Sequence, residues 1–319
     1  MGDAVGGLTP AAGQTDPARG GNRPDLDYGP APSWPVDIPE QVNALVGSRV
    51  RRAEAGRGAI TGRTWRMTLE SGAEVFVKSR PGAPSGFFAA EVSGLRWLGG
   101  TPGGPPLPEV LAHDAETLVL PWVPPASPTP AAAERLGREL AAMHAAGAPE
   151  YGAPWPGFIG AAPLDNRSAP DWPEFYATRR IAPYLRTLVD RGVLGPADAA
   201  VLDRIVARMP ELAGPAEPPA RLHGDLWSGN VLWAADGRAW LVDPAAHGGH
   251  RETDLAMLAL FGAPWLDRIL SAYQEVTPLA DGWPDRVPLH QLHPLLVHAV
   301  LFGGGYLQQV LDAARRYAG

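Results

Sequence analysis

Apolar and polar residues alternate from about position 49 to 78 and then recur at helical spacing, dividing the chain into a strand-rich beginning and a helix-rich remainder. Arg49 to Ala55, Ile60 to Leu69 and Glu74 to Lys78 read as strands, the last entered through the turn Glu70-Ser71-Gly72. Phe87 to Leu98 follows as a helix with Phe88, Val92 and Leu95 on its buried side and Glu91 beside that face. Runs around Glu109 to His113 and Thr117 to Leu120 add two strands. Past the stiff connector Leu120-Pro121-Trp122-Val123-Pro124-Pro125, Ala131 to Ala146 reads as a helix with Leu136, Leu140 and Met143 or His144 on one face. The rest is mainly helical, apart from the short apolar runs Val231 to Trp233 and Ala239 to Val242. Residues 1 to 40 are rich in Gly and Pro, lack apolar periodicity and read as a disordered tail. The pattern predicts an α+β fold of two lobes: a small antiparallel sheet with one helix over 41–121, and a mainly helical lobe over 122–319.

Composition narrows the function classes. A length of 319 residues with 45% hydrophobic positions supports two lobes with cores. No run of about 18 apolar residues is present and the start lacks the order of a secretory signal, so a cytoplasmic protein is expected. A formal net charge of −7 argues against nucleic acid or an anionic membrane as partner. The count of 0 Cys excludes a disulfide-linked partner and thiolate chemistry. Of the 27 Lys and Arg residues, Lys78 alone is lysine, and it ends an apolar β-type run. A compact ammonium there matches the third-strand lysine that contacts the α- and β-phosphates in kinases, a place for which a guanidinium is too broad.

The chemistry-bearing segment is His223-Gly224-Asp225-Leu226-Trp227-Ser228-Gly229-Asn230-Val231, followed by Leu241-Val242-Asp243-Pro244. In the phosphoryl-transfer template one Asp receives or orients the proton of the attacking hydroxyl, an Asn five residues on holds a Mg²⁺, and a second Asp past the next strands holds another. Asp225, Asn230 and Asp243 fit those roles, and a carboxylate–amide–carboxylate set supplies the hard oxygen ligands that Mg²⁺ prefers. Lys78 needs an acidic partner, which predicts a Lys78–Glu91 ion pair. Gly56-Arg57-Gly58, between the first two strands, is either a phosphate-approaching glycine loop or an ordinary hairpin turn. Pro121 has no N–H, so Trp122 or Val123 is the expected backbone donor to an adenine. His223 reads as a structural strut. Asp254 reads as an acceptor for catalytic-loop N–H groups or as a helix cap. Trp227 is a sugar platform or a core anchor. His290, His293 and His298, in Leu-rich surroundings, read as a helix face rather than a metal cluster.

These segments, together with Phe76-Val77-Lys78, Phe88-Ala89-Ala90-Glu91, Gly157-Phe158-Ile159-Gly160, Asp171-Trp172-Pro173-Glu174-Phe175-Tyr176 and Gly249-His250-Arg251-Glu252-Thr253-Asp254, resemble the fructosamine (ketosamine) kinase family, within the protein-kinase-like and aminoglycoside phosphotransferase-like fold. The resemblance runs from about Val50 to Tyr306, and Trp227-Ser228-Gly229 after the Asp separates this family from aminoglycoside and choline kinases. It implies phosphorylation by ATP with Mg²⁺ of a hydroxyl, typically on C3, of a ketosugar attached to an amine, such as fructosyl-lysine or ribulosyl-lysine. The phosphorylated adduct then falls apart. Asp225 would be the base, Asn230 and Asp243 the metal ligands, and Lys78 with Glu91 the phosphate clamp. Two departures bear on the acceptor side: Pro163-Leu164-Asp165-Asn166 replaces Pro-Gln-x-Asn ahead of a substrate-side Asn166, and Ala246-His247 replaces an aromatic near the expected acceptor. A related phosphotransferase for amino sugars or aminoglycosides, and a nucleotide-binding scaffold without turnover, are the alternatives, because loops decide the acceptor.

Overall fold

The computed structural model describes residues 37–56 and 62–317. In chain order the elements of the small lobe are α1 (Ile38–Val46), β1 (Val50–Ala55), β2 (Arg63–Leu69), β3 (Glu74–Ser79), α2 (Phe87–Gly99), β4 (Ala112–His113) and β5 (Thr117–Pro121). The five strands form one antiparallel sheet in the order β1-β2-β3-β5-β4. Alternation sets its two faces. Val75, Val77, Val119 and Met67 pack beneath Ile38 and Val42 of α1, whereas Leu118 and Leu120 pack beneath Phe88, Val92 and Leu95 of α2. Lys78 lies opposite Leu118 in the register and therefore shares the α2 face.

The α+β two-lobe architecture is as expected, with two differences in the small lobe. Helix α1 is additional and runs through position 40, so the tail boundary drawn there cuts a helix. Its start signals were local: Asp37 caps the Glu40 N–H, and a Pro stands in the first turn. The Pro- and Gly-rich stretch before it masked them. The fourth strand shrinks to Ala112–His113, although the Leu111 N–H still reaches the Val119 carbonyl at 3.0 Å. Residues 1–36, with most of the tail, lie outside the described residues, as does Gly58.

The large lobe comprises α3 (Pro130–Ala145), the hairpin β6 (Gly157–Ile159) and β7 (Ala162–Leu164), α4 (Trp172–Phe175), a π-helical turn Tyr176–Ile181, α5 (Ala182–Asp190), α6 (Pro196–Ala207), α7 (Met209–Leu212), β8 (Ala220–Leu222), β9 (Val231–Trp233), β10 (Ala239–Leu241), β11 (His247–Gly249), α8 (Glu252–Leu260), α9 (Leu266–Val276), α10 (Trp283–Phe302) and α11 (Tyr306–Arg315). One core gathers α3, α9 and the β9–β10 hairpin around Leu136, Leu140 and Tyr273; a second gathers α5, α6, α10 and α11 around Leu292, Leu296 and Val310. Helix α10 tolerates Pro294 because the carbonyl that loses its helical donor, that of His290, accepts from the Tyr176 hydroxyl at 2.9 Å. No helix among the described residues is long and apolar enough to cross a membrane.

His290 and His293 are core residues of α10. His250, Glu252 and His290 bring three potential metal ligands within 4.8 Å of one another. The Arg286 fork takes both Glu252 oxygens, at 2.9 and 2.6 Å, and His250 Nδ1 accepts the Glu252 N–H. The cluster is thus a buried ion pair flanked by neutral imidazoles.

Burial, reinforced by Arg180 for His247 and by His290 for His250, pushes both imidazoles down to about 3. Unfolded histidine takes a proton near pH 6.5, so between there and about 3 the unfolded state binds more protons and stability falls as pH falls. Each residue is expected to remove about 2 kcal/mol by pH ~5 relative to neutral pH. Urea unfolding across that range measures this, and a flat profile would contradict it.

Candidate active site

Lys78, Glu91, Asn166, Asp225, Trp227, Asn230 and Asp243 converge on one open cleft between the lobes. Four local devices bring them there. Strand alternation directs Lys78 toward α2, where Nζ meets both Glu91 oxygens at 2.8 Å. Strand β8, paired with β11, delivers the loop 223–230. The buried side chain of Leu226 pins that loop into the core. Beyond the β9–β10 hairpin, Asp243 takes a left-handed backbone, φ 55°, which turns its carboxylate back to the cleft. Lys78 Nζ meets Asp243 Oδ1 at 2.8 Å. Burial alone would lower the ammonium, but Asp243 and Glu91 hold it well above its usual range. Burial pushes Glu91 upward, yet the ammonium in contact with it keeps the pair ionised.

The catalytic loop is held by backbone bonds rather than by its own turn propensity. Asp254, in the first turn of α8, accepts the N–H groups of His223 at 2.8 Å and Gly224 at 2.9 Å. It is not the cap residue, since the N-cap of α8 is Arg251. Burial opposes its charge, but bonds from His144 and the loop prevail and its carboxyl is lowered. His223 is fully buried and meets the Val242 carbonyl through Nε2 at 2.9 Å, tying the loop to the strand before Asp243. Gly224 has φ +81°, and a Cβ there would strike the Ala245 carbonyl.

Asn230 Nδ2 donates to the Asp225 carbonyl at 2.8 Å and to Asp225 Oδ2 at 3.1 Å, which leaves its amide oxygen as the acceptor for another group. Burial and the Asp243 carboxylate push Asp225 up to about 7, with the Asn230 bond working the other way. Glu91, Asp225 and Asp243 line the cleft with one ammonium, which Glu91 and Asp243 share, beside the Asn230 amide oxygen. That donor set, hard oxygens in an excess of negative charge, fits a divalent cation of the Mg²⁺ type on Asn230 and Asp243.

Several expected residues are placed differently. The Trp122 N–H is spent on the Glu74 carbonyl, 3.0 Å, because the β3–β5 ladder extends one residue past Pro121. Its ring is held by Arg66 at 4.7 Å. Val123 is left as the connector's donor. Gly56 donates to Thr64 across the hairpin at 2.7 Å, so its N–H belongs to the ladder. His247 is buried, bonded to the Ala245 carbonyl at 2.8 Å, and lines a small inner cavity with Phe175 and Arg180 while Ala246 faces the cleft. Leu164 points into the core, whereas Asn166 lines the cleft, its oxygen held by Arg180 at 2.9 Å. Trp227 serves two functions of packing: it meets Phe261 edge-to-face at 6.2 Å and lines the cleft. Sequence reasoning missed Trp155, and it saw in His144 only a helix face. Their partners are remote in sequence, and no local pattern signals them.

Residues 37–317 match the sequence profile of the fructosamine kinase family. A protein of Thermus thermophilus named a probable ketoamine kinase is 38% identical over 251 residues, covering 78% of this chain and 88% of that one. A crystal structure from Thermobifida fusca named as a fructosamine-3-kinase superposes with a TM-score of 0.84 at 51% identity, over 88% of this chain and 97% of that one. An ADP-bound aminoglycoside phosphotransferase shares the fold, with a TM-score of 0.60 at 13% identity over 89% and 98% of the two chains. With the profile spanning all the described residues, and with the cleft assembled from the segments that carried the resemblance, the chain belongs to the fructosamine kinase family.

Proposed function

We propose that this enzyme transfers the γ-phosphoryl group of Mg-ATP to the C3 hydroxyl of a ketosamine such as fructosyl-lysine or ribulosyl-lysine, free or on a protein, in the cytoplasm. The observation that carries the reading is the convergence of Asp225, Asn230, Asp243 and the Lys78–Glu91 pair on one cleft. Asp225 takes the proton of the acceptor hydroxyl as its oxygen bonds to the γ-phosphorus and the bond to the β,γ-bridging oxygen breaks, releasing ADP. A carboxyl that burial and the neighbouring Asp243 push upward is more basic than a solvated one, which suits it to receiving the proton. Lys78 holds the α- and β-phosphates and Glu91 holds Lys78. Asn230 and Asp243 are the metal ligands, and Mg²⁺ when bound offsets charge on the phosphate oxygens. The Val123 N–H meets the adenine, and the Trp227 face and Asn166 border the sugar. Names of relatives support the acceptor: ketoamine for the Thermus protein and fructosamine for the Thermobifida structure.

ADP release with Mg-ATP, measured against fructosyl-lysine, ribulosyl-lysine, free ketoses and an aminoglycoside, tests this. Turnover is expected on the two ketosamines and to exceed that on free ketoses by at least about tenfold, because the amine-bearing carrier adds binding. Turnover confined to the aminoglycoside would overturn the acceptor and keep the fold.

A further inference from the structure

The guanidinium of Arg221 lies where two helices of different lobes end. Its Nη1 donates to the Trp97 carbonyl and to Thr101 Oγ1, both at 3.1 Å, at the end of α2. Its Nε donates to the Gly147 carbonyl at 3.2 Å, just past the end of α3. The same group lies over the Trp97 ring at 4.7 Å. Both helices present carbonyls and the negative pole of the backbone dipole at their C-termini, so one cation serves the two together. The Thr101 N–H turns to Leu98, 3.0 Å away, which leaves the Trp97 carbonyl to Arg221. Arg221 belongs to β8, and the residues that follow are His223, Gly224 and Asp225. The cation therefore ties the helix bearing Glu91 to the strand delivering Asp225.

Helix α2 has a second seat on the large lobe. A Cβ on Gly94 would stand 3.1 Å from Ala246 Cβ and 3.4 Å from Pro244 Cγ, so the helix bears closely on the segment after Asp243. Glu91 and Asp243 then meet on one ammonium.

We propose that Arg221 is a positioning residue that locks α2 against the catalytic strand, keeping Glu91 on Lys78 and the nucleotide side of the cleft assembled before ATP arrives. This rests on the reading of Lys78 and Glu91 as the phosphate clamp. A lysine at 221 reaches one acceptor but has neither the fork nor the planar face, so it cannot join both helix ends.

A double-mutant cycle of Arg221→Met with Glu91→Gln tests it, using ADP release from Mg-ATP with fructosyl-lysine and a melting curve for each variant. In the parent background Arg221→Met is expected to lower kcat/KM for ATP about tenfold or more and to leave the acceptor KM within about twofold. In the Glu91→Gln background it is expected to cost less than about twofold, because its effect passes through Glu91. The same loss in both backgrounds, or a loss shared equally by the acceptor KM, overturns the proposal. Full activity of Glu91→Gln alone overturns the clamp reading instead. If the Met variant does not fold, Arg221→Lys carries the same cycle with the same outcomes.

Discussion

Asp225→Asn is expected to lower kcat by about 10²–10⁴-fold, the range for loss of a general base, while ATP binding changes little. The substitution keeps the shape of the side chain and an oxygen that can accept the Asn230 amide, now at 3.1 Å from Oδ2. It removes a carboxylate that burial and Asp243 both disfavour, so the folded state does not lose by it. Activity and stability therefore separate. Single-turnover assays beside nucleotide titration and a melting curve measure all three quantities. Comparable turnover in the variant would sink the assignment of the base, and a matching loss of ATP affinity would move Asp225 to the nucleotide side.

Lys78→Met is expected to act on both quantities together. The ammonium offsets Glu91 and Asp243, and with Lys78 and Glu91 both about one-tenth exposed, water cannot take its place. Removing one partner of such a buried set costs about 3 kcal/mol, and the lost contact to the phosphates is expected to lower kcat/KM for ATP by about 10²-fold or more. The two effects come apart in Lys78→Met with Glu91→Leu, which restores an apolar contact. That double variant is expected to recover most of the stability and none of the turnover. Denaturant midpoints with initial rates check it, and recovery of activity in the double variant would remove Lys78 from the mechanism.

Much of this site was legible because its chemistry is written in two contiguous pieces. The period-2 run ending at Lys78 sets the face on which the ammonium emerges, and the next helix offers Glu91 to it, 13 residues on, so their contact was predictable. The stretch from His223 to Asn230 folds back within itself, so the Asn230–Asp225 bond follows from a spacing of five residues. The connector was harder. Pro121 excluded itself by lacking an N–H, but the choice between Trp122 and Val123 depended on how far the β3–β5 ladder extends, and register is a property of the paired sheet. The direction of His247 has a similar cause. Its strand β11 pairs with β8, and that pairing turns the imidazole toward Phe175 and away from the cleft.

The sequence by itself determined the two-lobe α+β class, the small sheet, the lone lysine and the order of carboxylate, amide and carboxylate, because each rests on periodicity or on spacing within a few residues. The tertiary structure alone decided which charges share a partner. Lys78 meets Asp243 across 165 residues, His144 meets Asp254 across 110, and Arg221 joins the ends of α2 and α3. Such contacts form only when packed elements exclude water and bring distant polar groups within bonding distance, where each buried donor or acceptor must find a partner.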